Sequence, residues 1–451
     1  MREDYTAGRG DGAPRPGGGP SGTGSGRSAR EDYSDRFVVR AGAPLSGSVR
    51  IGGAKNSVLK LMAATLLTEG DYKLTNVPQM ADVETMADLL TSMGVDVRRS
   101  GRELSIHRSS DCVPEAPWEL VERMRASIVV LGPLLARFGR AKVALPGGDD
   151  FGVRPIDMHL RGLELLGATF EMSHGFIEAR AQQLLGARIV LEFPSVGATE
   201  NAMLAAVRAK GHTVIENAAR EPEIADLASF LNKMGAHVVG AGTSTVEVEG
   251  VEELHPADHE AIPDRIEAMT YLAAVGLAGG EITLEGARAD HMELLIEKLA
   301  AMGMRISPTT NGLWAQAPDR LISADLATMP YPGLATDYKP LLVAMLCVAD
   351  GVGIVTENIY MGNRYRYTQE LGRMGAEIRV EGHHAVIRGV PRLSGAPVRA
   401  SDLRAGAALV VAGLAAEGET TVAGADHVER GYEDLAGSLR SLGADVTRVR
   451  G

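Results

Sequence analysis

Residues 89–97 read LLTSMGVDV: an apolar, helix-like stretch, a Met-Gly step, then a short β-prone run. The pattern returns as LELLGATFE (163–171), FLNKMGAHV (230–238), KLAAMGMRI (298–306), ELGRMGAEI (370–378) and SLRSLGADV (438–446). The six glycines, Gly94, Gly167, Gly235, Gly303, Gly375 and Gly443, lie 68 to 73 residues apart. Each suits a helix C-terminus, where a left-handed residue costs glycine least. Upstream of the first, Val83, Met86, Leu90 and Met93 recur at helical spacing and make one apolar face. β-prone segments precede the helices, among them YKLTNV (72–77), HTVIENA (212–218), EITLEGA (281–287), GIVTENIY (353–360) and ETTVAGA (419–425). The expected fold is α/β, a strand–loop–helix–strand unit repeated six times.

Two further series run in step with the glycines. Lys55, Arg125, Ser195, Arg265, Asp337 and Arg404 are 67 to 72 residues apart, each at or near the start of an apolar, helix-prone run. A helix start presents unpaired N–H groups and the positive end of the dipole, a natural setting for anion-binding side chains. Arg154, Arg220, Arg364 and Arg430 precede the glycines of their own units by 11 to 15 residues. Guanidinium forks grip carboxylate and phosphate in a way Lys cannot reproduce. A ligand with several anionic groups is the economical inference.

Bulk properties narrow the function classes. The 451 residues carry 46 Lys and Arg against 58 Asp and Glu, a net charge of −12, which argues against non-specific nucleic-acid binding. With only Cys112 and Cys347, a disulfide framework or thiolate zinc site is not expected, and a reducing, cytoplasmic setting fits. No apolar run reaches the length of a membrane span. The first 35 residues are Gly/Pro/Ser-rich and read as a disordered tail. No metal motif stands out and no cofactor is expected; protein partners are not legible.

From about Phe37 to Val449 the chain resembles the UDP-N-acetylglucosamine 1-carboxyvinyltransferases. The motifs are GGAKN (52–56), MRASI (124–128), LPGGxxxGxRPIDxH (145–159), PSVGAT (194–199), NAAREPEI (217–224), PDRIEA (263–268), ATDYKP (335–340), SDLRAGA (401–407) and ERGYE (429–433). The resemblance implies two inside-out α/β barrel domains, each of three units with pseudo-threefold symmetry. It puts the first domain at 55–262, the second at 36–54 plus 263–451, and the site in the cleft between them.

The implied reaction moves the enolpyruvyl group of phosphoenolpyruvate to the 3′-hydroxyl of UDP-N-acetylglucosamine, through a tetrahedral phospholactyl adduct, releasing phosphate for peptidoglycan precursor synthesis. By resemblance Lys55, Asn56, Arg154 and Arg430 face the phosphoenolpyruvate, with Arg404 and Arg364 at its carboxylate. The implied base is Asp337, which also reads as a helix N-cap. Asp402 matches a carboxylate at the adduct. The nucleotide sugar falls to Asn56, Arg125, Pro155, Met158, His159, Ser195, Val196 and Gly197, with Asp337 and Ile359 from the second domain.

The loop 145–155 is implied to close over bound nucleotide. Gly147, Gly148 and Gly152 are read there as hinge residues taking left-handed angles. Most family members have cysteine after the glycine pair, as proton donor and as the target of fosfomycin. This chain has Asp149, which can donate a proton but not accept the alkylation, so insensitivity to the drug is expected. Rival readings are an enolpyruvyl transferase for another uridine nucleotide and a silent nucleotide-sugar-binding paralogue.

Overall fold

The computed structural model describes residues 35–147, 155–360 and 364–451. Most of the expected tail lies outside these. Its last residue, Asp35, is tied down by Arg448 Nη2 at 2.8 Å and the Gly451 N–H at 3.0 Å.

Each unit is organised around an inner helix: α1 (Lys55–Ala64), α2 (Leu131–Phe138), α3 (Val196–Ala206), α4 (Arg265–Ala278), α5 (Lys339–Leu346) and α6 (Leu403–Gly413). Nearly every residue of α1, α3, α4, α5 and α6 is buried. A helix that is apolar all round is stable only when enclosed. These helices therefore sit inside, and six four-stranded sheets wrap them with alternating buried and exposed residues, as along Glu103–Arg108. Outer helices such as Ala81–Ser92 and Pro222–Lys233 end at the repeat glycines, and all six of those have φ between +87° and +101°.

The unit is richer than strand, helix, strand. In the first sheet Gly70–Thr75 pairs antiparallel with Glu103–Arg108, which pairs with the post-glycine strand Val95–Ser100, while His259–Glu260 adds a parallel edge. The other sheets repeat that order. In the last, Arg36–Arg40 takes the central place between Glu419–Ala423 and Asp445–Val449, antiparallel to both. Leu45–Arg50 is the parallel edge of Gly280–Glu285.

Two apolar cores result. One gathers residues from Val58 to Ala261; the other joins Phe37–Ile51 to Ile266–Val446. The chain passes between them at two adjacent stretches stitched by Ala54 N to Ile262 O at 2.7 Å and Asp264 N to Gly52 O at 2.8 Å. A Cβ on Gly53 would lie 1.7 Å from the Asn76 carbonyl oxygen, so glycine is required at this crossing.

Candidate active site

A cavity of ≈ 600 Å³ lies between the two cores, lined from both. On the second-core side Asp337 lies in a 3₁₀ turn, Thr336–Tyr338, that leads into α5. Its carboxylate accepts from Arg364 Nη2 at 3.1 Å and Arg404 Nε at 3.2 Å. Burial alone would raise its pKa, but the charges of Arg404, Arg364 and Lys55 reverse that and hold it at about 2. The expected N-cap role is not found: the oxygens are held by guanidinium groups, and no backbone N–H of the turn bonds to them. Arg404 is itself braced by the Tyr432 ring, 5.5 Å from its guanidinium carbon, and Tyr432 hydroxyl meets Thr270 Oγ1 at 2.8 Å.

A second carboxylate, Asp82 on the outer helix Ala81–Ser92, binds Lys55 Nζ at 2.9 Å and Arg430 Nε at 3.0 Å. This triad joins α1 and its neighbour to a residue 348 positions away on the second-core side. Lys55 is placed by the start of α1, where its N–H approaches Asp264 Oδ2 at 3.4 Å. Asp264 also caps α4 through the N–H groups of Ile266 and Glu267. One side chain thus pins the first helices of both cores. A further bridge crosses the cavity: the Arg265 fork meets Glu223 at 3.2 and 3.4 Å. In the structure this arginine is therefore already matched to a carboxylate.

The first-core wall is less charged. Asn201 Oδ1 accepts the Gly132 N–H at 2.9 Å, which orients its amide to donate to His159 Nδ1 at 2.9 Å. His159 then carries its proton on Nε2. Burial lowers its pKa to about 4, aided by the charge of Arg125, so it is neutral at pH 7. Ser195 caps α3 by accepting from the Ala198 N–H at 3.3 Å, and Val196 and Gly197 open that helix against the cavity. Arg125 Nη2 donates to the Pro155 carbonyl at 3.2 Å.

Lys55, Asn56, Arg125, Pro155, Met158, His159, Ser195, Val196, Gly197, Asp337, Ile359, Arg364, Arg404 and Arg430 all line this one cavity. Asp402 does not. Its carboxylate is turned to the start of α6, accepting from the N–H groups of Arg404 and Ala405 at 2.9 Å each. Arg220 is exposed and also outside the lining. Asp149, Arg154, Gly148 and Gly152 lie outside the described residues. Gly147 does not take a left-handed angle; a Cβ there would lie 2.0 Å from the Glu122 carbonyl oxygen, so close packing explains the glycine.

Sequence reading missed Asp82, Glu223 and Glu200, acids within helical runs that look like solvated surface. Glu200, on α3, is buried with Lys60 Nζ at 3.5 Å, and burial pushes its pKa up to about 7. Tyr360 also lines the cavity, its ring 5.1 Å from the Arg364 guanidinium carbon.

These inner helices, outer sheets and the cation-lined cavity between two cores belong to a chain of the carboxyvinyl-transferase class. The family model described as EPSP synthase (3-phosphoshikimate 1-carboxyvinyltransferase) matches residues 39–439. A Nocardia farcinica protein named UDP-N-acetylglucosamine 1-carboxyvinyltransferase is 49% identical over 424 residues, 93% of this chain and 99% of the relative. One of the same name from Gluconobacter oxydans is 51% identical over 417 residues, 92% and 99%. The crystal structure of the enolpyruvyl transferase NikO from Streptomyces tendae matches with a TM-score of 0.84 at 25% identity, covering 92% of this chain and 99% of that one. The chain belongs to the UDP-N-acetylglucosamine 1-carboxyvinyltransferase family and is a transferase.

Proposed function

We propose that the chain transfers the enolpyruvyl group of phosphoenolpyruvate to the 3′-hydroxyl of UDP-N-acetylglucosamine, by addition and elimination through a phospholactyl adduct, in the first committed step of peptidoglycan precursor synthesis. The proposed division is 55–262 as the nucleotide-side barrel and 36–54 plus 263–451 as the other. The observation that carries the reading is the pair of cation-gripped carboxylates, Asp337 with Arg364 and Arg404, and Asp82 with Lys55 and Arg430, on one cavity.

Four cations against two carboxylates leave a surplus of positive charge, suited to a compact polyanion. Phosphoenolpyruvate competes with Asp337 and Asp82 for these cations: its carboxylate draws on Arg364 and Arg404, its phosphate on Lys55 and Arg430, joined by Arg154 and the Asn56 amide. Losing its guanidinium contacts, Asp337 rises from a pKa near 2 and becomes a working base for the sugar hydroxyl only once substrate is present. The freed cations then stabilise the anionic adduct and the leaving phosphate. Asp402 holds the backbone that carries Arg404 beside that adduct.

The nucleotide lies along Arg125, Pro155, Met158 and His159, with its diphosphate at the Ser195–Gly197 helix start, where N–H groups point outward. Ile359 and Asp337 meet the sugar from the other side. Asp149 is the proton donor to the enolpyruvyl methylene carbon, and with no thiol at that position the enzyme resists fosfomycin.

The test is phosphate release from phosphoenolpyruvate with UDP-N-acetylglucosamine, with and without fosfomycin, in the parent, Asp149→Cys and Asp149→Asn. Resistance in the parent, sensitivity with Cys and collapse with Asn support the whole reading. Parent turnover that fosfomycin abolishes removes the Asp149 assignment. No turnover with this nucleotide sugar, but turnover with another uridine nucleotide, replaces the acceptor.

A further inference from the structure

A second groove, of ≈ 910 Å³, shares no lining residue with the cavity above. It lies on the first core, where α2 ends beside the strands Arg140–Ala144 and Phe176–Arg180. Cations dominate its walls in a chain whose net charge is −12. Lys142 is matched by Glu115 at 2.8 Å. The arginines are not matched one for one. Arg137 Nη2 reaches Glu69 Oε1 at 2.7 Å, and Arg108 Nη1 approaches the same oxygen at 3.3 Å.

Arg108 is 1% exposed, with its guanidinium carbon 5.3 Å from the Phe138 ring centroid, and its Nε has no hydrogen-bond partner among the described residues. Arg208, two residues past α3, is half-buried in the groove wall and has no carboxylate within ion-pair distance among the described residues. Arg208 and Arg137 line the same groove, and Arg108 shares the Glu69 oxygen with Arg137, so three guanidinium groups lie in one neighbourhood. Burial, then the charges of Arg137 and Arg108, push the Arg208 pKa down. Three such charges against Glu69 leave a local excess of two. Desolvated cations of like sign are costly without a counter-charge.

A dianion removes that excess, and guanidinium forks match the oxygens of a phosphate bidentately. We infer that this groove is a second anion site, separate from the catalytic cavity, which takes the phosphate or diphosphate group of a small molecule on Arg208 and Arg137.

The experiment is calorimetric titration of the full chain with inorganic pyrophosphate at low salt, in the parent, Arg208→Gln and Arg137→Gln. Arg404→Gln runs in parallel to mark any binding in the cavity. Thermal melting is recorded for each with and without the anion. The parent is expected to show a class of site that Arg404→Gln keeps and that Arg208→Gln and Arg137→Gln weaken by about tenfold or more. Without anion Arg208→Gln melts above the parent, because repulsion is relieved, and pyrophosphate raises its Tm less than it raises the parent's. The inference is overturned if the Arg208→Gln and Arg137→Gln isotherms superimpose on the parent's, or if the only binding class is lost with Arg404→Gln. An Arg208→Gln chain that fails to fold, or melts lower than the parent in both conditions, also overturns it by making this arginine a structural prop.

Discussion

The two carboxylates of the cavity are gripped alike and built differently. Asp337, Arg364 and Arg404 all belong to the second-core side, and the two arginines are almost fully enclosed, at 5% and 2% side-chain exposure. Asp82 and Lys55 are buried on the first-core side, while Arg430 reaches them from the other and keeps 21% exposure. One triad is preassembled within a single core; the other exists only while the cores face each other. A preassembled group suits chemistry, where placement within a fraction of an ångström matters. A bridging group suits substrate capture, because an anion entering between Lys55 and Arg430 can take over the task of Asp82.

The largest effect is expected from Asp337→Asn. It keeps the shape but removes the base and the counter-charge of two enclosed arginines, so kcat should fall by about 10²- to 10⁴-fold and stability by on the order of 3 kcal/mol. Equal losses in KM and kcat would mean that Asp337 only arranges the arginines. Asp82→Asn should act differently. It leaves two cations facing each other across the interface, lowering stability by on the order of 3 kcal/mol and kcat/KM by roughly 10- to 100-fold. Added phosphate should restore much of the lost Tm in this variant and little in Asp337→Asn. Melting curves with and without phosphate decide it.

This contrast also divides what the sequence made legible from what it hid. The repeat was readable because each glycine answers a local demand: a helix end must turn, and φ near +95° needs no partner elsewhere in the chain. The inner helix starts were readable for the same reason, and that register brought Lys55, Arg125, Ser195, Asp337 and Arg404 to one cavity. Asp82 was not, because its partner Arg430 is 348 residues distant and an acid in the first turn of a helix has an ordinary explanation as dipole compensation. Arg36–Arg40 hid its place in part: the resemblance assigns 36–54 to the second domain, but not that this strand takes the centre of a sheet formed by the far end of the chain. Asp337 as a helix cap failed on local grounds, since nearby charge outcompeted the backbone for its oxygens.

A milder perturbation leaves both triads intact and tests the wall between them and the nucleotide side. A Cβ on Gly197 would lie 2.7 Å from His159 Cε1 and 3.0 Å from Nε2. The ring is held by Asn201, so it must shift by a few tenths of an ångström with its donor. Gly197→Ala should raise KM for the nucleotide sugar roughly tenfold while kcat and KM for phosphoenolpyruvate change little. Steady-state kinetics with each substrate varied separately gives the answer. A fall in kcat would show that the first-core wall is coupled to Asp337 and that the two sides do not divide capture from chemistry.

The smallest effect on turnover should come from Glu267, on α4, which links the bridging triad to the second core. Its Oε2 accepts the Gly52 N–H at 2.8 Å, three residues before Lys55. Burial, with the nearby Asp264 charge, raises its pKa from 4.5 to about 7. The folded chain therefore holds this proton more tightly than the unfolded chain does. The associated stability is fully present below about pH 4.5 and is lost as pH climbs through 7. A shift of that size corresponds to on the order of 3 kcal/mol. Glu267→Gln keeps an acceptor for Gly52 and cannot ionise, so its stability should decline less than the parent's between pH 5 and 8, with kcat at pH 6 close to the parent's. If the parent's Tm is flat over that range, the carboxyl is ionised throughout and Gly52 is held by a charged acceptor. In that case the crossing segment is fixed independently of pH, and the bridging triad owes its geometry to Asp264 alone.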